Sequence, residues 1–378
     1  MLRELDRLKG IAIAMVLVSQ WDCAQALLPE VARSSWSGID LLFVVSGYLT
    51  TRSLLRVLPS EGSDAGLAQR LTDAREPLGG FFLHRFLRVV PLVALFFLVN
   101  RVVMRWFPQN FGSPEQWWRE VVAFFGGIYG YDLAFHTDFR MAILWPIAVG
   151  AHFTLALGLI FAIFRKPGRR LGACLCVVLL VMAGRALPVP NGADAGTYAL
   201  AASHLRLDAP MAGAIVALVG GELRRAAPAL GPIVPPWVMR YAVLPAVVVV
   251  IACLPGAVPQ QVAREEGLVA LWFLSALLVA FASLDRGYVL PIPVLAPVLQ
   301  YLGSRSLPLY LAMVPVGRLE DDLGGRWPRY RALVPEDAHH PLVRTLVLLA
   351  TTILVAEVVH RCVEQPFRRI ARARSPVG

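Results

Sequence analysis

Long apolar runs, separated by short polar stretches, follow one another along almost the whole chain. Each run is close to the roughly 20 residues that a helix needs to cross a hydrocarbon core about 30 Å thick. About ten runs qualify, and they cover residues 11–28, 39–58, 86–104, 143–164, 171–187, 207–223, 237–254, 267–284, 295–316 and 342–361. The pattern predicts an all-α fold, a polytopic transmembrane helix bundle of about ten spans that forms one domain over residues 1–378.

The distribution of Lys and Arg predicts the orientation of these spans. Basic residues concentrate in short cytoplasmic loops, and an alternating ten-span order places nearly every basic cluster on one side. An eleventh candidate, 120–135, would move the cluster at 165–170 to the outside, so we interpret it as a re-entrant or interfacial segment. Both termini are then predicted to be cytoplasmic.

Composition supports the membrane class and excludes others. Hydrophobic residues make up 57% of the chain and charged residues 16%, and the mean hydropathy is +0.61, outside the usual range of soluble domains. The net charge of +10 is explained by the orientation and by contact with anionic membrane lipid, without nucleic acid. The cysteines show no C-x-x-C spacing, so neither a metal site nor a disulfide framework is expected.

Asp40 lies inside the second predicted span, within the apolar stretch 38–49. A carboxylate in hydrocarbon is costly, so Asp40 is expected to face a polar cavity or a partner. The best partners are Gln20 or an arginine that reaches in from the outer side, such as Arg206. A salt bridge that only holds two helices together would leave the same pattern, and both interpretations stay open.

Several motifs follow one another along the chain in a fixed order. The first is the approach to span one, 5–13, with the polar residues of 19–22 at mid-span, followed by the stretch 38–49. The motifs that follow are 84–91 with Arg85 and Arg88, 145–153 led by Trp145, 204–213 with Arg206 and Asp208, 301–311, and 363–368. Together they extend over nearly the whole chain, and the ordered set resembles the integral-membrane acyltransferase family called acyltransferase-three.

The resemblance implies O-acyl transfer, in the first instance of an acetyl group, from an acyl-CoA donor such as acetyl-CoA to a hydroxyl of an exported glycan. Arg85 and Arg88 would bind the donor, since guanidiniums one helical turn apart can clamp phosphates. Trp145, Arg206 and Asp208 would bind the acceptor. The resemblance also implies a bacterial inner (cytoplasmic) membrane location and envelope-glycan assembly proteins as partners, with no permanently bound cofactor.

The chain departs from the family where the chemistry is expected. The family's histidine near the outer half of span one, its presumed general base, is Gln20 here. An amide can orient a hydroxyl but does not take up its proton at physiological pH. Acidic positions of the family are Gly150 and Ala151, and a late histidine is Met313. Catalysis has therefore been either rebuilt or abandoned.

A rebuilt site has one candidate pair, Asp22 and His152. At about 1.5 Å per residue, Asp22 lies roughly 16 Å from the inner end of span one and His152 about 13 Å from the outer end of span four. These depths nearly coincide, so Asp22 could orient His152 as the base. In the alternative, His152 bonds a backbone carbonyl or the region of Trp145, and Asp22 only borders an outer cavity.

Three functions remain open at this point. The first is the acyltransferase, with Gln20, Asp22, Asp40 and His152 as its catalytic residues. The second is a catalytically degenerate member that acts as a non-enzymatic partner in glycan synthesis or modification. The third is an acyl or glycolipid transporter, which helices broken near prolines 91, 146 and 308 would permit. The charged stretch 317–341 is a candidate contact surface for an acceptor or partner, or else an ordinary solvated loop.

Overall fold

The computed structural model describes residues 3–59, 66–106, 113–136, 141–230, 235–257, 266–326 and 340–374. Every regular element within these ranges is helical. The all-α prediction is therefore confirmed.

The first half of the chain forms nine helices in the described ranges. They are α1 Arg3–Gln20, α2 Asp22–Leu27, α3 Pro29–Ser34, α4 Gly38–Val57, α5 Leu67–Met104, α6 Pro114–Phe125, α7 Tyr129–Phe135, α8 Trp145–Ile163 and α9 Pro167–Arg185. Proline occupies the first turn of several of them, where its missing N–H is not needed. Short 3₁₀ turns, Ser35–Ser37 and Ala142–Leu144, lead into α4 and α8.

The second half continues with helices of more varied length. They are α10 Ala195–Ala201, α11 Asp208–Leu218, α12 Gly220–Leu230, α13 Leu244–Ala257, α14 Glu266–Ser283, α15 Leu295–Ser304, α16 Ser306–Arg326, α17 Pro341–Val359 and α18 Gln365–Arg374. The 3₁₀ turn Ser203–Leu205 joins α10 to α11. Single π-helical turns, Met239–Val243 and His360–Glu364, precede α13 and α18.

Six helical segments of the described ranges are long and apolar enough to cross a membrane. They are Val31–Val57, Leu67–Met104, Ala142–Ile163, Pro167–Arg185, Pro236–Gly256 and Pro341–Ala371. Each contains most of one predicted span. The apolar helices Asp208–Leu218 and Gly267–Ser283 are shorter. The polytopic bundle is consistent with the structure, whereas the count of ten spans and the cytoplasmic placement of both termini stay predictions.

Three predicted spans are interrupted in the structure. The run 11–28 ends as a helix at Gln20, and Trp21 is extended before α2 begins. The run 207–223 changes helix at Val219, and the run 295–316 changes helix at Arg305. Apolarity alone does not report such breaks, because apolar residues continue along the run on both sides of them.

The segment 120–135, interpreted as re-entrant or interfacial, forms two short helices. α6 and α7 have 12 and 7 residues, and each is shorter than the roughly 20 residues of a span. Gly127 between them has a φ of +75°, a left-handed conformation that glycine adopts without strain. The turn therefore folds α7 back instead of continuing α6.

Two helix crossings are so close that only glycine fits at the contact. A Cβ on Gly47 of α4 would lie 1.9 Å from the carbonyl oxygen of Pro210, and one on Gly213 of α11 would lie 1.9 Å from that of Val44. A Cβ on Gly303 of α15 would similarly lie 1.8 Å from the carbonyl oxygen of Asp6 in α1. Small residues at such crossings let helix backbones approach closely in membranes. The centre of the bundle is built on these contacts.

The residues before the third predicted span and the charged stretch 317–341 are both largely helical where they are described. α5 begins at Leu67 and continues without a break through Pro77 and Pro91, so the helix break considered near Pro91 is absent. In the stretch 317–341, α16 extends to Arg326, and Arg344 pairs with Glu320 at 2.5 Å. Residues 327–339 lie outside the described residues, so the proposed contact surface there stays a prediction.

Candidate functional site

Asp40 and Arg206 form an ion pair inside the bundle. The Nη2 atom of Arg206 donates to Oδ1 of Asp40 at 2.6 Å, and each side chain is 1% exposed. Asp40 stands in the first turn of α4, and Arg206 ends the 3₁₀ turn before α11. The expected partnership between Asp40 and an arginine from the other side of the bundle is therefore present.

A second buried pair lies next to the first. The Nη2 atom of Arg185, the last residue of α9, donates to Oδ2 of Asp208 at 2.7 Å, and to the carbonyl oxygen of Leu205 at 2.7 Å. The two side chains are 5% and 1% exposed. Asp40 interacts electrostatically with both members of this pair. The four residues, Asp40, Arg185, Arg206 and Asp208, are called the buried ion cluster below.

Aromatic rings cover one side of the buried ion cluster. The Arg206 guanidinium carbon lies 5.8 Å from the ring centroid of Phe43 and 5.7 Å from that of Trp145. The two rings meet edge to face, 5.8 Å apart. Cation–π contacts of this kind favour a guanidinium that is removed from water.

These contacts decide what the predicted acceptor residues do in this structure. Arg206 and Asp208 are buried in ion pairs, and half-buried Trp145 packs on Arg206. In this arrangement the charged groups of Arg206 and Asp208 are engaged by Asp40 and Arg185. Direct binding of an acceptor by Trp145, Arg206 and Asp208 stays a prediction.

His152 is hydrogen-bonded to Ser203. Its Nδ1 atom lies 2.7 Å from the Ser203 hydroxyl, and the backbone of Gly127 interacts with its imidazole. The Nε2 atom of His152 lies close to Gly127, since a Cβ added to Gly127 would be 3.3 Å from it. His152 is half-buried and Ser203 is buried. The side chain thus joins α8 to the turn before α11 and to the turn after α6.

Asp22 and His152 do not pair, so this geometric expectation is wrong. Asp22 is exposed at the start of α2, and within the described ranges its carboxylate has no hydrogen bond or ion pair. The depth calculation assumed one straight helix as far as Leu28, but α1 ends at Gln20 and the chain turns at Trp21. His152 has a serine and a backbone group as neighbours instead, close to the alternative interpretation.

The positions at which the chain departs from the family carry no titratable side chains. Gln20 is the exposed last residue of α1, Gly150 and Ala151 lie on α8, and Met313 is buried on α16. The Trp21 indole donates to the carbonyl oxygen of Met313 at 3.4 Å. None of these four side chains supplies a proton acceptor at neutral pH.

Arg85 and Arg88 are half-buried, one turn apart on α5. Arg85 donates to the hydroxyl of Thr50 at 2.8 Å and to that of Ser46 at 3.3 Å. Within the described part of the chain, Arg88 has neither a hydrogen bond nor an ion pair of its own. Its charge lies within electrostatic range of the guanidiniums of Arg368 and Arg85 and of the carboxylates of Glu364 and Asp6. An anion is the ligand that such a group of guanidiniums favours.

Three residues at this site were missed by the sequence reasoning. Arg185 lies within the apolar run 171–187, and an intramembrane ionisable group calls for a named partner. Ser203 gave no signal, since a lone serine beside a helix start is an ordinary capping residue. Arg368, which pairs with Glu364, lies in a motif that was noted only for the resemblance.

The described residues contain no group of three or more His, Cys, Asp or Glu side chains that could hold a metal ion. No curated protein and no solved structure matches the chain significantly. A family model described as an acyltransferase domain, of the acyltransferase-three type, matches residues 2–361. Because this match covers nearly the whole sequence, the chain belongs to the acyltransferase-three family of integral-membrane acyltransferases.

Proposed function

We propose that this protein transfers an acyl group, in the simplest case acetyl, from an acyl-CoA donor to a hydroxyl of an exported glycan. Arg85 and Arg88, near the middle of α5, bind the donor's phosphates at the cytoplasmic end of the predicted span 86–104. The acceptor binds at the opposite face of the bundle. The protein acts in the bacterial cytoplasmic membrane, together with the proteins that assemble the glycan.

The observation that carries this proposal is the state of Arg88. A half-buried guanidinium that has no direct hydrogen bond or ion pair among the described residues keeps its N–H donors available for an anion, although the carboxylates of Glu364 and Asp6 already lie within electrostatic range of it. The phosphates of coenzyme A supply such an anion. Arg85, held by Ser46 and Thr50, supplies a second and already oriented guanidinium.

His152 is the candidate base of the rebuilt site, with Ser203 in the place that Asp22 was expected to take. When the Ser203 hydroxyl donates to Nδ1 of His152, the proton of the neutral imidazole is on Nε2, from which it is donated to the Gly127 backbone. The two contacts therefore fix one tautomer of His152. Nδ1 is then the only basic nitrogen of the imidazole, so the proton must pass through Ser203. In the proposed reaction the acceptor hydroxyl gives its proton to the Ser203 oxygen while Ser203 gives its own proton to Nδ1 of His152, and the acceptor oxygen attacks the thioester carbonyl. The thiolate of coenzyme A leaves and takes up a proton.

The test is acetyl transfer by the purified protein in nanodiscs, with labelled acetyl-CoA and a panel of oligosaccharides. Arg88→Ala is expected to raise the KM for acetyl-CoA on the order of tenfold or more, because a charge-assisted contact with phosphate is lost. Arg75→Ala is the matched control, since Arg75 is exposed on the same helix, and its KM should not change. Equal effects of the two substitutions would contradict the donor assignment.

The second candidate is a non-enzymatic partner in glycan synthesis or modification, favoured by Gln20 at the family's base position. It predicts that acetyl-CoA binds without turnover, and that transfer appears only in Gln20→His. Transfer by the natural sequence that is lost in His152→Ala and retained in Gln20→Ala supports the enzyme instead. The transporter alternative loses the break near Pro91 on which it partly rested.

A further inference from the structure

The buried ion cluster holds the short turn Ser203–Leu205 on its buried side, through Arg185 and Arg206. Arg185 donates from Nε and Nη2 to the carbonyl oxygen of Leu205, at 3.2 and 2.7 Å. Arg206 follows the turn directly and is fixed by Asp40, while Ser203 bonds His152. Ser203 and Leu205 are buried, and His204 between them is exposed. The contacts beneath the turn therefore orient one exposed imidazole.

His204 belongs to a small group of aromatic side chains. Its ring is parallel to that of Tyr131 within 6°, with centroids 5.6 Å apart. Its Nδ1 atom also lies 3.1 Å from the Tyr131 hydroxyl. The ring of Tyr198 meets His204 edge to face, with centroids 5.8 Å apart. Tyr131 comes from α7 and Tyr198 from α10, so three separate elements meet at this place, which we call the aromatic surface.

The groups of the aromatic surface are polar without being charged. Burial lowers the pKa of His204 from its ordinary value, so the imidazole is neutral at pH 7. Burial likewise raises the pKa of the Tyr131 phenol. The surface therefore offers flat rings together with hydroxyl and imidazole groups that both donate and accept hydrogen bonds. A sugar ring has the matching chemistry, with C–H groups on its faces and hydroxyls around its edge.

We propose that the aromatic surface formed by Tyr131, Tyr198 and His204 binds a sugar ring of the acceptor glycan. The sugar lies on the rings, and its hydroxyls bond the phenols and the imidazole. His204 and Ser203 belong to the same short turn, so a sugar bound at His204 lies on the element that carries the His152–Ser203 pair. The proposal rests on the proposed function for the identity of the ligand as a glycan.

The main alternative is an interfacial aromatic belt, in which tyrosines sit at the level of the lipid headgroups. A belt requires only that each ring reaches the interface. It gives no reason for parallel rings joined by a hydrogen bond, or for a turn held by two backbone bonds from Arg185. The two possibilities differ in whether a soluble saccharide is bound.

The experiment measures saccharide binding without any donor. The full-length protein in nanodiscs is titrated with neutral cello-, malto- and chito-hexasaccharides, and saturation-transfer NMR reports the contact. At least one probe is expected to bind, and His204→Ala should weaken it on the order of tenfold. Tyr131→Phe, which removes only the hydroxyl, should weaken it by a few fold. Tyr241→Ala is the control, because Tyr241 is an exposed tyrosine on another element.

The outcomes separate this inference from the proposed function. Absence of binding by every probe, or equal losses in His204→Ala and Tyr241→Ala, overturns the aromatic surface as a sugar site. Acetyl transfer from acetyl-CoA is measured on the same preparations. If transfer persists unchanged in His204→Ala, the enzyme remains and only the acceptor site is wrong. Saccharide binding that depends on His204, without any transfer, supports the site and leaves the degenerate partner as the function.

Discussion

At the scale of single residues, the strongest expectation concerns Asp40. Asp40→Asn leaves the Arg206 guanidinium buried without its counter-charge, and breaking a buried pair in this way costs about 3–5 kcal/mol. We expect a large fall in the midpoint of thermal unfolding, followed by tryptophan fluorescence in detergent. Replacing both residues by apolar side chains of similar volume should recover much of the loss, because neither charge is then left alone.

The matched control is an exposed pair of the same chemistry. Arg225 and Glu222 lie 2.6 Å apart, with side chains 79% and 74% exposed. An exposed pair contributes at most about 1 kcal/mol, so Glu222→Gln should hardly change the midpoint. If Asp40→Asn is as mild as Glu222→Gln, the pair with Arg206 is not the buried contact described above.

At the scale of helices, the crossing of α4 and α11 depends on two glycines. Gly47→Ala would place a Cβ 1.9 Å from the carbonyl oxygen of Pro210, so the helices must separate. Overpacking of this kind costs about 1–3 kcal/mol or more, and we expect a lower unfolding midpoint and a smaller monodisperse fraction by size-exclusion chromatography. Gly172→Ala has open space around its Cβ and should be neutral or slightly stabilising. Similar behaviour of both variants would argue against the close crossing.

The same scale shows what the sequence could predict. Apolar runs marked the helices, and the cost of a lone charge in a span pointed from Asp40 to Arg206, because opposite charges removed from water need each other. The pairing of Asp22 with His152 failed because it required a straight helix, whereas the break at Trp21 is a property of the backbone. Ser203 as the neighbour of His152 could not be predicted, since a serine carries no charge that would single it out as a partner for the imidazole.

At the scale of the whole molecule, the proposed reaction needs two faces: the donor binds at one end of the bundle and the acceptor at the other. α9 can report this arrangement, because it begins near the basic cluster at 165–170 and ends near the buried ion cluster. Its 19 residues extend about 28 Å at 1.5 Å per residue, nearly the thickness of a hydrocarbon core. Arg169 and Asn191, both exposed, flank its two ends.

In a variant without the five native cysteines, Asn191→Cys should react with a membrane-impermeant maleimide in intact spheroplasts. Arg169→Cys should react only after the membrane is permeabilised, because basic loops are retained in the cytoplasm. Labelling of both from outside would show that α9 does not cross the membrane. A reversed pattern would place Arg85 at the outer face of the membrane and His204 at the cytoplasmic face. Neither residue could then meet its proposed ligand, a cytoplasmic acyl-CoA or an exported glycan, and the two-faced reaction would have to be abandoned.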